Sequence, residues 1–148
     1  MISQLKKIFL VFCLSGAACA QTQMQTDWLN IVGEAENPAV NTVEIDPTPL
    51  SNEALVFRVR VSRSANQVSW DGIRYRSFKS QVQFDCANNT AKYLTIDFFL
   101  EPNWKGVSHH TSVYGQPPRL MDFPEIVPSN PAPRIVRAAC ESSSVVGN

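Results

Sequence analysis

The chain offers few residues for reaction chemistry. His109 and His110 are its two histidines, and Cys13, Cys19, Cys86 and Cys140 are its four thiols. A metal centre would have to be assembled from these and the carboxylates, but neighbouring side chains on an extended segment point to opposite faces. His109 and His110 therefore do not converge on one ion and read as part of an exposed loop. Neither Cys86 nor Cys140 stands in a Cys-x-x-Cys spacing or beside a histidine, which argues against zinc binding and thiol catalysis. There is no Gly-x-Ser-x-Gly elbow, no His-Glu-x-x-His pair and no glycine-rich phosphate loop. Asp46, Asp71, Asp85, Asp97 and Asp122 fall at turns or outward strand positions and read as solvated carboxylates. The expectation is a protein that is not an enzyme, with no catalytic residue, no metal site and no cofactor.

Recognition chemistry is better represented. Arg58 and Arg60 alternate along one segment, Arg74, Arg76 and Lys79 lie on the next, and Lys92 opens the one after. Their outer faces would merge into a basic patch on the wet side of a sheet, and Trp70 and Trp104, both beside turn residues, would add aromatic contact area. The competing reading is that such charges simply solvate the outer face of an antiparallel sheet and protect its edges. Thirteen basic residues balance thirteen acidic ones, so no global field recruits nucleic acid or an anionic membrane. Recognition has to come from a local surface.

The elements that position these residues follow from hydrophobic period. Leu55 to Ser62 alternates, with Phe57, Val59 and Val61 on one face and Arg58, Arg60 and Ser62 on the other. Phe78 to Cys86 repeats the pattern with Val82, Phe84 and Cys86 inward. Asn88-Asn89 then supplies a turn into Lys92 to Glu101, where Leu94, Ile96, Phe98 and Leu100 are expected inward. Trp28 to Val32 and Thr42 to Ile45 read as earlier strands, while Thr111 to Tyr114 and Glu125 to Val127 read as short edge strands among prolines. Near the C-terminus the period changes: Asn130 can cap a helix with Pro131 in its first turn, and Ile135, Val136, Ala139 and Cys140 form an apolar stripe with Arg134 and Arg137 outside. Strands first and one helix last, packed in two layers, define an α+β fold.

The N-terminal region reads as an export signal over residues 1–20. Lys6 and Lys7 precede the apolar run Ile8 to Leu14, and Ala18-Cys19-Ala20 provides a cleavage site after Ala20. That run is too short to span a bilayer, for which about 20 residues are needed. An alternative makes Cys19 the lipidated first residue, although Gly16 stands where such a box carries leucine. Cleavage after Ala20 leaves Cys86 and Cys140 as a pair in an oxidising compartment, where one disulfide is expected to clamp the helix to the sheet centre. Residues 21–27 read as a flexible leader, 28–140 as the folded domain and 141–148 as a disordered tail.

These features together resemble the surface-adhesin protein E family of Gram-negative bacteria. The resemblance rests on Trp28, the Val-Glu-Ile-Asp end at Val43 to Asp46, the Val-Phe-Arg-Val-Arg-Val strand at Val56 to Val61, Ser77 to Cys86, the Glu-Ile-Val-Pro segment at Glu125 to Pro128, and a helix closing on Cys140. It implies a small antiparallel sheet of about six strands with one C-terminal helix and a cysteine pair joining them. It also implies attachment to host extracellular-matrix or plasma proteins. The alternative is a soluble periplasmic accessory or structural protein of the envelope. Placement in the periplasm or at the outer-membrane surface, and pairing of two copies through a strand edge, stay open at this point.

Overall fold

The computed structural model describes residues 27–123 and 130–145. The expected signal peptide, the leader up to residue 26 and the expected strand Glu125 to Val127 lie outside the described residues. Seven strands form one antiparallel sheet: β1 (Leu29–Val32), β2 (Thr42–Ile45), β3 (Val56–Val68), β4 (Arg74–Asp85), β5 (Thr90–Phe99), β6 (His110–Val113) and β7 (Arg119–Leu120). The first six lie in chain order, and β7 pairs with β5 beside β6. A helix, α1 (Ala132–Val145), covers one face.

Period two builds that face. Val43 and Ile45 of β2, Phe57, Val59 and Val61 of β3, Phe78, Val82 and Phe84 of β4, and Ile96 and Phe98 of β5 are all buried and form the core with Ile135, Val136 and Ala139 of α1. Asn130 begins the helix as expected, its Oδ1 accepting the Ala132 N–H at 2.8 Å. Cys86 and Cys140 form a disulfide with Cα atoms 5.9 Å apart, joining the end of β4 to α1. The helix runs on to Val145, so the tail expected from residue 141 begins with helix.

Strand β5 departs from the expected alternation. Register with β4 shifts between Gln81 and Val82, which face Thr95 and Tyr93 and leave Leu94 without an opposite number. Tyr93 thereby turns into the core at 2% exposure, Leu94 is half-buried, and Leu100, beyond the strand end, is exposed. At the β1–β2 connection Gly33 has φ +79°, and a Cβ there would lie 2.1 Å from the Asn41 carbonyl oxygen. Only glycine fits.

The longest hairpin does not stay flat. β3 has 13 residues and β4 has 12, and a bulge between Ser62 and Gln67 bends the pair. Their tip, around Trp70 and Asp71, reaches β6, where Asp71 Oδ2 accepts hydrogen bonds from Ser112 Oγ at 3.2 Å and Tyr114 Oη at 2.9 Å.

Candidate interaction surface

Of the basic residues singled out in the sequence, Arg58, Arg60 and Arg76 are committed to neighbours. Cross-strand register aligns Glu44, Arg60, Lys79, Asp97 and Thr111 in a row from β2 to β6. Arg60 Nε donates to Glu44 Oε2 at 2.7 Å. Its guanidinium carbon lies 4.1 Å from the ring centroids of both Trp28 and Trp104. Arg58 donates through Nε at 2.8 Å and Nη2 at 2.5 Å to Asp46 Oδ2, and that carboxylate is fully buried. Asp46 is thus no solvated carboxylate, because its Oδ1 also accepts the Thr48 N–H at 2.9 Å in a local turn. Arg76 spans the β1–β2 loop and the bulge, donating to the carbonyls of Arg63 at 2.7 Å, Pro38 at 3.0 Å and Ser64 at 2.9 Å.

Trp104 differs from expectation. It is buried in the short 3-10 turn Pro102–Trp104. Its indole N–H is shared between the Val61 and Phe78 carbonyls at 3.1 and 2.9 Å. Its backbone N–H donates to Ser77 Oγ at 3.0 Å. A turn residue was drawn inward because the two small serines Ser62 and Ser77 leave room beneath the turn and bind its backbone. Of the two readings of these cations, a contiguous basic and aromatic patch or charges that solvate the outer face, the buried Trp104 and the paired Arg58 and Arg60 favour the second on this face. Arg74 and Lys79 remain exposed, with the Lys79 ammonium 5.4 Å from the Phe99 ring, and Lys92 is half-buried.

Trp70 is placed differently. It is 45% exposed at the hairpin tip, in a tight turn closed by Gly72 N–H to the Ser69 carbonyl at 3.0 Å and Ile73 N–H to Ser69 Oγ at 3.1 Å. Its ring lies 5.8 Å from Tyr93, nearly parallel, and 5.8 Å from Tyr114. The guanidinium of Arg119, on β7, sits 3.8 Å over the Trp70 centroid. The register of β7 on β5, with Arg119 opposite Tyr93, brings them together. Sequence reasoning missed Arg119 because it lies in a proline-rich stretch whose two-residue strand has no period to read. The Tyr114 phenol is pushed up to about 12, first by burial and then by the hydrogen bond and charge of Asp71, so it stays a donor to that carboxylate.

The other side of β7 borders a cleft of about 500 Å³ whose lining includes Glu53, Leu55, Gln83, Asp85, Lys92 and Leu120. The side-chain and backbone N–H groups of Asn88 hold the Asp85 carboxyl below the usual carboxylate range. His109 and His110 are exposed, as expected, with His109 Nε2 2.9 Å from the Arg74 carbonyl oxygen. Among the described residues no group of three metal-ligating side chains gathers, and no helix is long and apolar enough to cross a membrane.

What the fold and its surface define is a small, disulfide-closed sheet-and-helix domain that displays an aromatic and cationic contact at its hairpin tip. The chain belongs to the surface-adhesin protein E family, whose model matches residues 28–141. No curated protein and no solved structure gave a significant match.

Proposed function

We propose that this is an exported, non-enzymatic adhesin that attaches to host extracellular-matrix or plasma proteins, with the Trp70 and Arg119 surface as its anchor and Arg74, Lys79 and Lys92 as further candidate contacts. The observation that carries the reading is Trp70, half-exposed yet packed against two tyrosines and an arginine. A large aromatic held in one orientation loses little entropy on contact, and Trp and Arg dominate binding hot spots. Cleavage after Ala20 gives a protein that begins at Gln21, whereas cleavage before a lipidated Cys19 would hold it at the outer-membrane surface. A periplasmic accessory role is the second reading, favoured by the internal pairing of Arg58 and Arg60, which leaves the cations scattered.

Purified protein passed over immobilised matrix and plasma proteins tests the proposal. Wild type binds at least one, and Trp70→Ala weakens that binding about tenfold or more at a temperature where circular dichroism shows the variant still folded. Absence of wild-type binding across the panel favours the periplasmic role. Intact-mass analysis of the cell-derived protein separates a lipidated Cys19 start from a free Gln21 start.

A further inference from the structure

We infer that Arg119, stacked on Trp70, is a receptor for a carboxylate: the surface recognises an acidic residue next to an apolar one in a partner protein. The inference rests on the adhesin reading and names the chemistry of its partner.

Three observations lead to it. First, Arg119 is exposed and has no carboxylate within salt-bridge distance among the described residues, whereas the inner-lying Arg58 and Arg60 each have one. Second, stacking at 3.8 Å occupies the face of the guanidinium and leaves the in-plane N–H groups at its edge available. A carboxylate takes that edge in a fork of two parallel hydrogen bonds, and a guanidinium already fixed by the indole loses less freedom in doing so. Third, Asp71, the acid at the hairpin tip, is engaged by other donors. Both hydrogen bonds to Asp71 end on its Oδ2, which ties the carboxylate to Ser112 and Tyr114 and thereby holds Trp70 in place.

The surroundings select the source of the carboxylate. Arg119 is flanked by Trp70, 45% exposed, while Leu120 faces the cleft on the other side of β7. One cation beside apolar area suits a glutamate or aspartate next to an apolar side chain. A sulfated glycan would instead engage a row of cations, and the row across the sheet holds only Arg60 and Lys79 between the acids Glu44 and Asp97.

The test uses two blocked peptides, one with glutamates around a central leucine and one with lysines in their place, together with a heparin-derived oligosaccharide. Titrations follow the indole N–H resonance of Trp70 in labelled protein, assigned with Trp70→Phe. The glutamate peptide is expected to shift that resonance, and added salt weakens the effect. Arg119→Gln weakens binding about tenfold, and Arg119→Lys restores only part of it because the fork is lost. Arg119→Glu exchanges the preference for the lysine peptide. The inference is overturned if the glutamate peptide leaves Trp70 unmoved, if Arg119→Gln binds it as wild type does, or if only the oligosaccharide binds. Binding to the matrix panel that depends on Trp70 but survives Arg119→Glu keeps the adhesin and removes the carboxylate receptor. Peptide binding without panel binding does the reverse.

Discussion

Arginines two residues apart on one strand, Arg58 and Arg60, read as a basic surface until the acids beneath them are located. Asp46 and Glu44 are 0% and 3% exposed, and each meets one arginine across β2 and β3. The two ends of the Arg58 pair are not equivalent, since the arginine side chain is 43% exposed and water can take its place as partner. Arg58→Ala leaves a buried carboxylate alone and is expected to cost about 2–3 kcal/mol. Asp46→Asn keeps the Thr48 contact and leaves only a hydratable guanidinium, at about 1 kcal/mol. Urea denaturation of both variants checks the order, and equal losses would show that Asp46 is better solvated than its position indicates. The alternation of Arg58 and Arg60 was legible in sequence. Their neutralisation was not, because Asp46 lies in an Asp-Pro-Thr-Pro breaker whose turn, rather than any period, folds the carboxylate back beneath the strand.

Between elements, the informative contact is the hairpin tip on β6. Tyr114 donates to Asp71 only while protonated, and its pKa stands at about 12 against an ordinary 10.0. A raised folded-state value means that the contact's contribution is complete below about pH 10 and is lost as pH climbs towards about 12. Wild type is therefore expected to exceed Tyr114→Phe in stability near neutrality, with the gap closing at alkaline pH. Denaturation at about pH 8 and about pH 11 reads this, and a constant gap would remove the phenol from the latch. Strands β2 to β5 were visible in the sequence because each keeps period two over at least four residues. The reading slipped within β5, where one extra residue exchanges the roles of Tyr93 and Leu94, and local alternation holds no record of a bulge set by the partner strand. β7 was not visible at all, and with it went Arg119.

At the scale of the molecule, strands followed by a helix gave the architecture, but the curl that carries Trp70 to Tyr114 depends on the bulge in β3 and could not be read from composition. The disulfide joins residues 54 apart and ties down α1. Replacing Cys86 and Cys140 together with alanine is expected to cost about 4 kcal/mol by chain entropy. Amides of α1 should then exchange before those of β3 to β5, whereas uniform loss of protection would make the sheet depend on the helix. Each strand from β2 to β6 pairs with the one before it, so a folding chain can add hairpin to hairpin. The helix comes after every strand, and its cysteine nine residues into it. The apolar face of the sheet consequently stays uncovered until α1 docks, so a folding chain meets its greatest aggregation hazard between closure of the strands and arrival of the helix.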